Sequence, residues 1–222
     1  PTGTTSTTTT QTTTTVVIPS GDATSAIQSS LNANKYFYVD KNYTVNGTIN
    51  PPNGSQIVFG PNGQFTRTAA APVVGTLPVI LLDKGNVTLK SPRIVGPSPC
   101  YWTYFDTGYK YSQYDPKREW NHAISVMGGS TYLIDNPNIT SVWGDAINID
   151  RNSQNITINN LKANCVGRSI VSNTGSTNTT INGGEAYGAF YWTFNIEPFG
   201  DRVVRNYKVN NFKVGFSRGQ VI

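Results

Sequence analysis

Through the C-terminal half of the chain, a short apolar-alternating string returns at a nearly constant interval. The copies are Ala123–Val126, Ala146–Ile149, Ser169–Ser172 and Thr193–Ile196, with starts separated by 23, 23 and 24 residues. A single globular core imposes no such interval, whereas stacked repeat units require one. Within each copy the apolar residues alternate at period two, so the repeated unit is a strand and not a helix. A second strand follows in each copy, at Tyr132–Ile134, Asn155–Ile158, Asn178–Ile181 and Asn206–Val209. Units of this kind stack into an all-β parallel β-helix.

The rest of the chain suits that architecture. Charged residues make up only 13% of the 222 residues, too few for a helical bundle, and Thr, Asn and Gly replace them. Upstream strands are expected at Tyr36–Val39, Tyr43–Ile49, Gln56–Phe59, Gln64–Arg67, Val79–Leu82 and Asn86–Leu89, separated by turn signals such as Pro51-Pro52-Asn53-Gly54. At about 23 residues per coil the span holds roughly seven coils, rising about 35 Å. Before it, Ser25–Leu31 reads as a short amphipathic helix with Asp22 or Thr24 as its N-cap and Ala26, Ile27 and Leu31 on one face. Such a helix would cover the open end of the solenoid. Residues 1–20 are nearly all Thr at the start and read as an extended stalk or linker, and residues 21–222 as the solenoid domain. The chain opens inside the Thr tract with no signal-peptide pattern. It stops at Gln220-Val221-Ile222, where another strand begins, so it reads as a C-terminally incomplete piece of a longer protein.

The net charge of +5 is dispersed, with one loose grouping at Lys110, Lys117 and Arg118, and no nucleic-acid-reading module is present. No apolar run is long enough to span a bilayer. Cys100 and Cys165 stand where they could pair across neighbouring turns, but two cysteines make no disulfide framework, and two buried thiols are expected. Seven Asn-X-Ser/Thr strings, headed by Asn42, Asn46, Asn53, Asn86, Asn138, Asn155 and Asn178, fall at turns and strand starts and read as chance matches. No metal cluster, phosphate loop or nucleophile elbow occurs, so neither metal nor cofactor is expected.

One segment breaks the period. Residues 96–120 carry an aromatic-rich insertion that includes Trp102, Tyr104 and Trp120. Solenoid insertions tend to emerge on the binding face, and aromatic rings stack on sugars, so these three side chains are candidates for a glycan groove wall; packing on the solenoid flank is the other reading.

The run Ala26-Ile27-Gln28, followed by the stretch from Lys35 to Gly63, resembles the opening of pectate-lyase-like right-handed, single-stranded β-helices. The phrases WNHAISVMG, VWGDAINID and FNIEP resemble bacteriophage tail-spike and minor-tail-protein β-helices. The resemblance covers Gly21 to about Ile222. It implies a tail spike or tail fibre of a virion, a homotrimer joined to other tail proteins, acting outside the host cell on its surface polysaccharide. It leaves open whether the polysaccharide is only bound or also cleaved, by a hydrolase or a lyase. A non-catalytic structural or receptor-binding fibre is the first alternative, a secreted polysaccharide lyase or hydrolase the second. Of the polygalacturonase pattern in the same superfamily only Gly144-Asp145-Ala146-Ile147 is matched, and its paired aspartates and Gly-His-Gly element are missing.

Register then picks out candidates for chemistry. With Ile124, Val126, Ile147, Ile149, Ile170, Phe194 and Ile196 inward, the residues Met127, Asp150, Asn173 and Glu197 fall into one outward column. Asp150 and Glu197, two rungs apart, are about 9.6 Å apart at the backbone, a separation that admits the water of an inverting glycosidase. A second set, His122, Asp145, Arg168 and Trp192, occupies successive rungs at the turn before the strand. There His122 beside Asp145 is a candidate general base, and Arg168 a candidate for holding a substrate carboxylate. Trp192 and Asn173 complete the substrate-binding candidates. The competing reading makes Asp145 a structural bridge between His122 and Arg168.

Overall fold

The structure, a computed structural model, describes residues 18, 20–68, 77–98, 100 and 118–215. Among these residues one helix, α1 (Thr24–Asn34), is followed by sixteen strands in a parallel β-solenoid of about six turns. Each full turn visits three walls. The first holds β5 (Ile80–Leu82), β8 (Ile124–Met127), β11 (Ile147–Asp150), β13 (Val171–Asn173) and β15 (Phe194–Ile196). The second holds β1 (Tyr36–Val39), β3 (Gln56–Phe59), β6 (Val87–Lys90) and β9 (Ser130–Asp135). The third holds β2 (Asn42–Thr44), β4 (Gln64–Thr66), β7 (Arg93–Val95) and β10 (Asn138–Thr140). In the later turns β12 (Ser153–Val166), β14 (Ser176–Ala189) and β16 (Val204–Val214) run through the second and third walls without a break.

Parallel in-register stacking puts like residues over like. On the second wall Phe37, Ile57, Leu89, Ile134, Ile158 and Ile181 follow one another, all buried in one core. Each inward Ile removes its side chain from water on every side, a gain of about 1.5–3 kcal/mol per residue. The corners are made by single residues in the left-handed region. Between the first and second walls these are Asn86, Thr131, Asn155, Asn178 and Asn206, at φ 49°, 67°, 52°, 60° and 53°. Asn tolerates this conformation because its short amide bonds locally. Here the amides also bond along the axis: Asn178 Nδ2 donates to Asn155 Oδ1 at 3.0 Å, and Asn206 Nδ2 to Asn178 Oδ1 at 2.9 Å. A second run joins Asp135, Asn159, Asn182 and Asn210. The abundance of Asn is thus a corner-and-ladder requirement of the solenoid.

Several expectations need correction. The helix is longer than Ser25–Leu31 and its N-cap is Ala23, while Asp22 Oδ1 accepts the Thr24 N–H from outside the cap position. It buries Ile27, Ser30 and Leu31, with Ala26 only half-buried. The solenoid has about six turns where seven were expected. One cause is the last interval, which lengthens to 28 residues, from Ser176 to its partner Val204. Cys100 and Cys165 form a disulfide, with Cα atoms 4.6 Å apart, in place of two free thiols. Residues 1–17 and 19 of the Thr-rich stretch lie outside the described residues. So do residues 99 and 101–117 of the insertion, which include Trp102 and Tyr104.

The register of the first wall also differs by one residue in its third copy. Ile124, Ile147, Val171 and Phe194 stack, so the spacings are 23, 24 and 23. The additional residue sits in the turn Arg151-Asn152, both left-handed, where Met127 and Asp150 are 23 apart but Ser130 and Gln154 are 24. Two consequences follow. Ile170 is buried one position before the inward site, now taken by Val171. Asn173 faces inward opposite Ile149, fully buried, with its Nδ2 donating to Ser176 Oγ at 2.8 Å. The outward position in that rung belongs to Thr174.

Candidate functional site

In its middle strands, β8, β11 and β13, the first wall is buried on both of its faces. Ser125, Asn148 and Ser172 alternate with the core residues, yet none is more than 3% exposed. The middle of this wall therefore offers no open groove, and what remains accessible lies at its two edges.

At the edge where the third wall turns into the first, four candidates come together. Asp145 N–H donates to His122 Nδ1 at 2.9 Å. With Nδ1 accepting, the proton of the neutral ring sits on Nε2. Burial, with the nearby Arg168 charge adding to it, pushes His122 down to about 3, so the ring is uncharged at neutral pH. The approach of His122 Nδ1 to Asp145 Oδ2 at 3.3 Å is accordingly not an ion pair. Asp145 is held instead by Arg168 Nη1, 3.1 Å from Oδ2, and by the Ser169 N–H, 2.9 Å from Oδ1. Burial raises Asp145 to about 6 even though Arg168 and the Ser169 amide pull it down.

His122 and Asp145 are both fully buried. A general base must reach the proton it abstracts, and this geometry leaves His122 no outward nitrogen. Gly144, the glycine of the Gly-Asp-Ala-Ile string, has a packing role. A Cβ there would lie 2.7 Å from His122 Nδ1 and 2.5 Å from the Glu119 carbonyl. Ser169, not Arg168, occupies the rung between Asp145 and Trp192, another result of the one-residue shift. Arg168 reaches back to Asp145 from the preceding position. Its guanidinium lies 5.7 Å from the Trp120 ring centre, and its Nη2 is 3.9 Å from Glu197 Oε2. Trp120 is 47% exposed, and Tyr191 stacks on Trp192 with ring centres 5.1 Å apart. This edge is an aromatic and arginine surface over a buried acid.

At the opposite edge, Asp150 and Glu197 do share the outward column, with Thr174 between them. Their surroundings differ. Asp150 is bound by Arg202, whose Nη1 lies 2.6 and 2.7 Å from its two oxygens. Glu197 is exposed, and Asn195 Nδ2 donates to its Oε2 at 3.2 Å. From the sequence, Glu185, Asp201 and Arg202 flank this end without an assignable register, because Arg202 lies in the stretch that lengthens the last turn and has no counterpart in earlier copies. Gly175 was its signal: a Cβ there would meet the Arg202 side chain at 3.0 Å.

An open site lies along the second wall. It is a groove of about 640 Å³ whose polar lining includes Asn86, Thr88, Thr131, Asn155, Thr157 and Asn178. No charged side chain lines it. Among the described residues no group of three or more His, Cys, Asp or Glu is placed to hold a metal ion. Among the described residues no helix is long and apolar enough to cross a membrane. Comparison with protein-family models, with curated proteins and with solved structures finds no match in any of the three.

Proposed function

We propose that this chain is the β-helix of a bacteriophage tail spike or tail fibre, right-handed and pectate-lyase-like, that binds polysaccharide on the host cell surface. In this reading it works as a homotrimer with other virion tail proteins, and α1 closes the first coil through Ile27 and Leu31. The observation that carries the binding role is the open groove on the second wall. Its amides and hydroxyls repeat at the strand spacing of about 4.8 Å. They can donate to and accept from sugar hydroxyls without the cost of burying a charge. The exposed Trp120 and the Tyr191–Trp192 stack, beside Arg168, supply ring faces for a second length of the same chain. The Cys100–Cys165 bond agrees with an extracellular place of action.

A cleaving enzyme is the second reading, favoured by the exposed Glu197 on the outward column of Asp150. Against it, Arg202 already neutralises Asp150, while His122 and Asp145 are shut away from solvent. The test is to incubate the protein with purified host-surface glycans, measuring binding by calorimetry and new reducing ends or unsaturated products by assay. Binding without products is expected. Thr157→Trp, which fills the groove, should weaken it at least about tenfold, the loss of about 1.4 kcal/mol. Products that disappear in Asp150→Asn and Glu197→Gln would replace binding with cleavage. Failure to bind any host glycan would end both readings.

A further inference from the structure

Two columns of side chains run along the groove on the second wall. The outward column of the wall reads Gln56, Thr88, Leu133, Thr157 and Thr180 in successive rungs. The corner column beside it reads Asn86, Thr131, Asn155, Asn178 and Asn206. β9 departs from both patterns in one rung: Leu133 stands among polar side chains, and Thr131 among asparagines. A lone leucine half in water is ordinary. Here, however, the two departures lie two residues apart on one strand, and both residues line the groove.

Thr131 is a costly choice for its position. Its φ is 67°, and a β-branched residue in the left-handed region is a backbone outlier of the kind that gathers at binding sites. It also ends the amide ladder. Asn155 Oδ1 accepts from Asn178 Nδ2, but Asn155 Nδ2 makes no bond to Thr131, and the Asn86 amide has no partner among the described residues. Leu133 and Asn155 are diagonal neighbours, about 8 Å apart at the backbone from the strand spacing and the rise along a strand. Within the breadth of one sugar, this rung thus offers an apolar contact, a free amide N–H and the Thr131 hydroxyl. No charged side chain lies among the lining residues.

We propose that the β9 rung is a subsite for an uncharged N-acetylated sugar. The inference rests on the reading of the groove as a glycan site and names what that glycan carries. An acetamido group presents a methyl, a carbonyl oxygen and an N–H in one plane. The methyl covers Leu133, the carbonyl accepts from Asn155 Nδ2, and the N–H donates to Thr131 Oγ1. A hydroxyl in place of the acetamido group leaves Leu133 in water. A carboxylate or ammonium gives up hydration to a lining that holds no opposite charge.

The test starts from the host glycans that bind in the assay above, which should contain acetamido sugars. Alkaline de-N-acetylation should weaken binding at least about tenfold, since the amide of Asn155 loses its acceptor. Re-N-acetylation should restore binding, and N-formylation, which returns the amide without the methyl, should restore it only in part. Leu133→Thr should weaken the acetylated glycan about fourfold, the value of one buried methyl, and leave the formylated one unchanged. Thr131→Asn extends the ladder and removes the strained β-branched corner, so it should raise Tm by about 2–4 °C and still weaken binding. A bound glycan without acetamido sugars, or binding that survives both de-N-acetylation and Thr131→Asn, overturns the subsite and leaves the groove reading standing. Failure of every host glycan to bind overturns both.

Discussion

Arg202 places Nη1 2.6 and 2.7 Å from the two carboxylate oxygens of Asp150, a residue 52 positions earlier in the chain. The contact crosses Gly175, where a side chain would press on the Arg202 stem. Both partners are mostly shielded, with side-chain exposures of 29% and 14%. Removing the cation would leave a partly buried carboxylate without its partner. Arg202→Met is therefore expected to cost about 1–3 kcal/mol, and Gly175→Ala less, since the Arg202 stem has only to shift slightly. Urea midpoints at unchanged m-value check this. Arg202→Met within about 0.5 kcal/mol of the parent would show the pair to be energetically idle.

His122 and Asp145 pull stability in opposite directions as pH falls. The unfolded chain protonates His122 near 6.5 while the fold holds it neutral to about 3, so stability is lost across that window on acidification. Asp145, raised from 3.8 to about 6, takes its proton first in the folded state, so stability is gained between those values as pH falls. Each slope is at most about 1.4 kcal/mol per pH unit, and between pH 6 and 4 they nearly cancel. Asp145→Asn should unmask the His122 slope: the variant loses stability toward pH 4 at about 1 kcal/mol per pH unit more than the parent. Parallel pH–stability curves for the two proteins would contradict this pairing.

The Cys100–Cys165 bond closes 65 residues of chain. In the chain-entropy account a loop of that size contributes about 4 kcal/mol. Reduction, or Cys165→Ser, should lower the unfolding free energy by that order. Intact-mass analysis under non-reducing conditions should find no free thiol; two alkylatable cysteines in the native protein would refute the bond.

The left-handed corner at Asn178, φ 60°, is expected to discriminate between small substitutions. Asn178→Ala loses both ladder bonds and meets the penalty of a β-carbon in this region, together about 2–3 kcal/mol. Asn178→Gly avoids the backbone penalty and should cost about 1 kcal/mol less than Ala. Thermal melts of the two variants separate them, and Ala more stable than Gly would show the corner strain to be negligible.

The solenoid was legible because its cause is local and repeated. Alternation in Ala123–Val126 and Ala146–Ile149 assigns an inward side to each strand without knowledge of its neighbours, and the interval then stacks the strands. The inward stack of Ile124, Ile147 and Phe194 follows from that pattern alone. Asn173 shows where the reasoning stopped. One added residue in the turn Arg151-Asn152 moved the third copy by one position, and at period two that turns an outward residue inward. No alternation within the strand records the length of the turn before it.

The candidate chemistry divided the same way. The amino-acid sequence by itself determined the strand repeat, the inward residues outside the third copy, and the shared column of Asp150 and Glu197, since these depend on side-chain alternation and spacing along one chain. Only the tertiary structure decided that Asp150 is held by Arg202, that His122 and Asp145 are sealed from water, and that the open groove lies on the neighbouring wall. Burial and ion pairing depend on which distant residues the turns bring together. That is set by how the coils stack and not by the order of residues within a coil.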